Sequence, residues 1–253
     1  MSEKRKWTLR MVGIGSFLAL WEVMGRLMGD ALFAPISSMV AVYPSLIEEN
    51  NMLVELAKSL QHLIYGYALG CVVGITMGIA MGRSKIFEGL LQPWVSMLFA
   101  TSIASLVPLF MILFGFGLAF RVAIVFMSAV WYVLLNTFHG AKGINPELIQ
   151  TGRAFDARPA QIFFLILLPG LYPYILVGMR NGLAHSIRAM VIAEMYVIVG
   201  FGSVVFNTGL EVSTAPLLGA LVTIMFVGIA GLESLRWIGR KTAPWYEAEK
   251  GHP

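Results

Sequence analysis

An all-α integral membrane protein with six transmembrane helices is the fold this sequence predicts, and three observations predict it. Hydrophobic residues make up 58% of the 253 residues and charged residues only 13%. Soluble domains run at about 45–50% apolar and about 25% charged, so this chain cannot clothe itself in a water-facing surface. Five stretches, 59–82, 89–120, 122–141, 159–179 and 212–232, contain no Asp, Glu, Lys or Arg, and each approaches or exceeds the roughly 20 residues that cross a bilayer as helix. Finally, the Lys and Arg residues gather at the ends of these stretches. The formal net charge of +4 is therefore a topology signal and implies no nucleic-acid partner. One cysteine, Cys71, excludes a disulfide framework, an iron–sulfur site and a Cys-based zinc cluster. The four histidines, His62, His139, His185 and His252, form no HExxH pair.

Taken in order, the first span covers about 8–28, with Glu22 and Arg26 at a favourable i,i+4 spacing near its far end. A basic start before an apolar run also describes a signal peptide. No small-x-small cleavage site follows Leu20, so a retained span is expected. The segment 29–58 is the longest outer loop. Ala34-Pro35-Ile36-Ser37-Ser38 supplies turn and cap chemistry ahead of a short helix around 40–50 that would lie along the membrane surface. The second span, 60–82, carries Gly66, Gly70, Gly74, Gly78 and Gly82 at strict four-residue spacing. That makes a groove for close helix approach, within one subunit or at a dimer seam.

The third and fourth spans are expected at 90–114 and 120–139. Counted naively, 159–179 and 189–210 would be two more, giving seven in all. With the N-terminal Lys4, Arg5, Lys6 and Arg10 in the cytoplasm, seven would strand Arg236, Arg240 and Lys241 outside, against the positive-inside rule. Pro169, Gly170 and Pro173 also argue that the start of this stretch is not a simple spanning helix. Six spans, the last two at 171–200 and 214–236, put both termini and the basic loops inside.

The segment 140–169 lies on that cytoplasmic side, within a chain read as one transmembrane domain over 1–253. Asn145-Pro146-Glu147 is a helix start: an Asn cap, Pro at the first helical position and an acid at the positive helix end. The helix should reach about Phe155, Asp156 can adopt the left-handed conformation that turns the chain, and Pro159 can open a second short helix. The result is a rigid knob or an ordinary interspan loop.

At these residues the chain resembles the permease subunits of bacterial ABC importers, the binding-protein-dependent transport family. Their EAA motif runs Glu-Ala-Ala, three residues, Gly, nine residues, Ile-x-Leu-Pro. Here Gln150, Thr151 and Gly152 stand at the head, Asp156 at the glycine, and Ile166, Leu168 and Pro169 at the tail. The stretch Val107-Pro108-Leu109-Phe110-Met111-Ile112-Leu113-Phe114-Gly115-Phe116-Gly117 is similar to the third-span signature of the nitrate, sulfonate and taurine branch. Trp21-Glu22, Gly178-Met179-Arg180 and Ala193-Glu194 also fall where that branch has similar residues. The branch often has an Arg and two prolines before this signature, where this chain has Phe99, Ser102 and Ile103.

The resemblance implies a type I importer permease in the bacterial inner (plasma) membrane. It implies a second copy of the chain as a homodimer partner, two cytoplasmic ATPases and an external substrate-binding protein. It also implies a coupling role for Pro146, Glu147, Gln150, Thr151, Gly152, Asp156, Ile166, Leu168 and Pro169, with Gly152 on the contact face. No GxxxxGK[ST] phosphate loop occurs in the sequence, so ATP and its Mg belong to a partner and no cofactor is expected on this chain.

A channel or secondary transporter is the alternative in a different class, and no convincing inverted repeat supports it. An intramembrane enzyme would need a nucleophile and base. His185 and Ser186 are adjacent on a helix and point about 100° apart, so they make no dyad. Glu194 and Arg188 are ionisable residues within a span, which is a functional signal. At about 100° per residue, Asn181, His185 and Arg188 fall within about 60° of one another, forming a polar stripe. Arg188 must be neutralised by another helix, by water, or by an anionic substrate. In the last case the stripe, with Ser102, Ser105 and Glu194, lines the path of a small anionic organic solute.

Overall fold

The computed structural model describes residues 3–211 and 214–242, all of them in helices or short connections. The helices are α1 (Glu3–Met28), α2 (Ile36–Glu48), α3 (Met52–Arg83), α4 (Lys85–Ala100), α5 (Ile103–Phe114) and α6 (Leu118–Gly143). They are followed by α7 (Pro146–Ala154), α8 (Pro159–Ile162), a π-helical turn at Phe163–Leu167, α9 (Leu168–Val197), α10 (Gly200–Gly209) and α11 (Thr214–Thr242). Among the described residues, five helical segments are long and apolar enough to cross a membrane: Trp7–Met28, Met52–Arg83, Leu118–Gly143, Pro159–Val197 and Thr214–Thr242. The pair α4 and α5 is apolar enough to supply a sixth crossing if its two bent halves count as one broken span.

That break corrects the expected continuous third span at 90–114. α4 and α5 meet at 104°, with Thr101 (ψ 132°) and Ser102 (ψ 127°) in extended backbone between them. Thr101 turns its hydroxyl back to the Met97 carbonyl (2.9 Å), a local bond that competes with helix continuation. Pro108 inside α5 removes a further backbone donor. The surface helix also starts earlier than expected, at Ile36 rather than about residue 40.

The chain divides into two compact units, Met1–Lys58 with Val197–Val227 and Ser59–Tyr196 with Gly228–Pro253. In the first, α2 is held by its start. Pro35 sits at the cap position, and Ser37 donates to the Glu22 carboxylate through both its backbone N–H (3.2 Å) and its hydroxyl (2.8 Å). Glu22 thus serves α2 while it pairs with Arg26 at 2.8 Å, as acids do at helix starts. A Cβ at Gly25 would lie 2.5 Å from the Pro35 backbone, so only glycine lets α1 pass here. Thr214 ties the unit together, accepting from the Ala34 N–H (2.9 Å) and donating to the Asp30 carbonyl (2.9 Å).

The second unit is built around α6. The glycine stripe of α3 lies on it. A Cβ at Gly70 would come within 2.7 Å of the Ala129 Cβ, one at Gly74 within 2.8 Å of the Val133 Cβ, and one at Gly78 within 2.7 Å of the Leu134 carbonyl oxygen. The stripe therefore serves packing within one subunit, and backbone approaches backbone as small residues allow. On another side Gly178 and Gly182 of α9 admit Val133 at 3.1 and 3.2 Å from their would-be Cβ positions. The most apolar window of α6 is 44% buried, whereas that of α1 is 6% buried. The side chains of α1 therefore face lipid or a partner, and those of α6 face protein.

Candidate translocation path and coupling loop

The α4–α5 break does more than bend a span. It opens a cavity of ≈ 350 Å³ half-way along α6 and α9. Phe99, Thr101 and Ser102 contribute from the break, Ser128, Trp131 and Tyr132 from α6, and His185 and Arg188 from α9. Tyr132 stacks on His185 with ring centres 4.0 Å apart and planes 16° apart, and Phe99 meets Tyr132 edge-on at 5.2 Å. Among the described residues, no carboxylate lies within ion-pair distance of Arg188. A guanidinium at this depth without an acid attracts anions.

Ser102, His185 and Arg188 thus come together as the polar stripe suggests. The other three path residues do not join them. Asn181, a turn before His185, is exposed and outside the cavity; Ser105 is exposed one turn beyond the break. Glu194 is fully buried elsewhere. Ser59 donates to its carboxylate at 2.8 Å, and His62 Nδ1 stands 3.6 Å from its other oxygen. This buried cluster answers the cost of a carboxylate in a span, and it removes Glu194 from the path. On the same helix, Arg180 keeps a buried Nε without a hydrogen-bond partner. Sequence reasoning missed the contribution of α6. The i,i+4 pair Ser128 and Tyr132 was its visible signal, a polar edge on an otherwise apolar helix.

The loop after α6 is built as the residues dictate. The Asn145 side chain accepts from the Glu147 N–H (2.9 Å) with Pro146 at the first helical position. α7 ends in a Schellman closure: the Ala157 N–H donates to the Gly152 carbonyl and the Asp156 N–H to the Arg153 carbonyl, both at 3.0 Å. Asp156 takes φ 53°, the left-handed residue this closure needs. The Gln161 side chain accepts from the Arg158 N–H at 2.8 Å, starting α8 at Pro159. The chain then passes through the π turn, where Ile166 lies, and enters α9 at Leu168 and Pro169.

Gly152 is not on the outer face of α7, as expected, but on its inner one. A Cβ there would lie 2.9 Å from Ile166 Cδ1 and 3.5 Å from Ile162 Cγ1. The outer face instead presents Glu147, Leu148, Gln150, Thr151 and, at the cap, Phe155, which is 82% exposed. Lys142 pairs with Glu88 at the root of the loop.

Apolar helices long enough to cross a membrane, a bent helix pair beside a cavity and a capped helical loop fit a membrane transport subunit. The chain belongs to the family of binding-protein-dependent transport system inner membrane components, whose profile matches residues 70–244. It is similar to the nitrate import permease protein NrtB of Synechocystis sp., at 26% identity over 90% of this chain and 85% of that protein. It is also similar to the putative aliphatic sulfonates transport permease protein SsuC of Bacillus subtilis, at 27% identity over 92% and 86%. Among solved structures, the MetNI methionine ABC transporter in inward-facing conformations matches in fold, with a TM-score of 0.66 and 16% identity over 79% of this chain and 98% of that one. The protein is a multi-pass inner-membrane permease subunit of an ABC importer and not an enzyme; ATPase activity lies in separate partner subunits.

Proposed function

We propose that two copies of this chain form the translocation path for a small anionic organic solute, delivered by an external binding protein and driven by two cytoplasmic ATPases. The observation that carries the reading is Arg188. It lines the same cavity as Ser102 and His185, half-way along α6 and α9, with no acid of a described residue within ion-pair distance to neutralise it. An unpaired cation within a membrane-spanning segment marks a substrate or ion pathway and favours negative charge. The relatives named for nitrate and aliphatic sulfonates act on anions, in keeping with this reading. ATP and Mg are assigned to the partners, with no cofactor on this chain.

Both termini and the 140–169 loop are placed on the cytoplasmic side by the positive-inside rule. α7 and its cap then face the ATPase through Leu148, Gln150, Thr151 and Phe155, while Gly152, Asp156, Ile166, Leu168 and Pro169 shape the loop from within. Movement passes from there into α9, which carries both the loop and Arg188.

The test is Arg188→Gln in the complete importer, reconstituted in vesicles with its ATPase and binding protein. The variant should assemble and hydrolyse ATP, yet lose at least about tenfold in anion uptake, as expected when a charge-assisted contact is removed. Uptake at the wild-type rate would remove Arg188 from the path.

A further inference from the structure

Resting on the reading of the cavity as an anion path, we propose that its solute is a planar aromatic anion, a ring bearing a carboxylate or sulfonate. Four rings, Phe99, Trp131, Tyr132 and His185, line the same cavity as Arg188. Tyr132 and His185 are already stacked face to face (4.0 Å), and Phe99 stands edge-on to Tyr132 (5.2 Å). Aromatic side chains thus make up a large part of the wall of the cavity that Arg188 also lines.

The rings suit some anions badly. An aromatic face carries the negative part of the ring quadrupole, so a bare inorganic anion among such faces gains from Arg188 and loses to its neighbours. An anion whose charge sits at the edge of a flat ring meets both demands. Its carboxylate or sulfonate takes the guanidinium and the Ser102 hydroxyl, and its ring lies against the aromatic surface.

Size points the same way. A space of ≈ 350 Å³ falls within the range of about 300–1,000 Å³ typical of organic-ligand sites and is far larger than a three-oxygen anion needs. Packing does not account for the outermost ring either. Phe99 is 43% exposed, so an aliphatic residue would serve the bundle equally well there.

The experiment is equilibrium dialysis on the permease–ATPase complex purified in detergent without its binding protein. The probes are labelled benzoate, cyclohexanecarboxylate and nitrate. Benzoate should bind about five- to tenfold more tightly than cyclohexanecarboxylate, which matches it in charge and nearly in size but lacks a π face. Phe99→Leu should bring the two carboxylates within about twofold of each other, since one ring contact is then missing, and Arg188→Gln should abolish binding of both. Retained co-purification of the ATPase shows that each variant is folded.

Equal binding of the two carboxylates, or a preference for benzoate that survives Phe99→Leu unchanged, overturns the proposal. If nitrate or cyclohexanecarboxylate binds and benzoate does not, the aromatic assignment falls while the anion path stands. If a complex that hydrolyses ATP binds none of the three, both fall together.

Discussion

Glu194 carries a carboxylate into a span, and the chain answers it with Ser59 and His62 from α3, both themselves buried. Removing the hydroxyl takes one buried hydrogen-bond donor away from the carboxylate. Ser59→Ala should therefore cost about 1–3 kcal/mol of stability, read as a lowered thermal midpoint in detergent with the path itself untouched. Glycines give the complementary case. A side chain at Gly78 would meet the Leu134 carbonyl oxygen at 2.7 Å, whereas one at Gly13 meets nothing within 4 Å. Gly78→Leu should destabilise by about 1–3 kcal/mol through overpacking, and Gly13→Leu should leave the same melting curve unchanged. The four-residue glycine spacing was readable in the sequence because helix periodicity puts those residues on one face. Which helix filled the groove was not, since α6 offers small residues and branched residues alike.

At the scale of elements, the capped loop was legible almost residue by residue. Asn145, Pro146, Asp156 and Pro159 each do locally what their chemistry favours. The closure at Asp156 is testable by itself. Asp156→Gly should leave ATPase co-purification intact, while Asp156→Val forces a β-branched residue into the left-handed region at about 1–2 kcal/mol and should weaken it. A bulky residue at Gly152 would push α7 away from Ile166, so a coupling defect in Gly152→Trp would report loop distortion. Phe155→Ala is the cleaner probe of the outer face. It should lower ATP-coupled uptake and leave the stability within about 0.5 kcal/mol of wild type, as exposed substitutions do. The α4–α5 break was not legible, because the stretch 89–120 carries no charge and reads as one long apolar run with a few small polar residues. Only the Thr101 hydroxyl bond and the extended backbone at Ser102 interrupt it.

For the whole molecule, the reading is a homodimer. The sequence holds one six-span set and one coupling loop, and a path between subunits needs two. Native mass spectrometry of the purified importer should find two copies of the 27.8 kDa chain with two ATPases. One copy paired with a different permease would refute the homodimer. The sparse burial of α1 at 6% leaves its apolar side chains for lipid or the second copy. The same spectrum recorded after delipidation distinguishes these, since lipid adducts would be lost from a dimer that persists.

The sequence by itself determined the class of fold, the spans other than the third, the loop caps and the membrane setting. Each of these follows from composition and short-range periodicity, which act within a turn or two of helix. It also marked Ser102, His185 and Arg188, because a charge in an apolar run stands out. Only the tertiary structure decided that Glu194 belongs to Ser59 and His62, that Gly152 faces inward, and that rings from α4 and α6 line the same cavity as Arg188. Those facts depend on which helix faces meet across the bundle. Many apolar pairings bury nearly the same area, so the choice among them rests on side-chain shape and backbone approach at contacts distant in the chain.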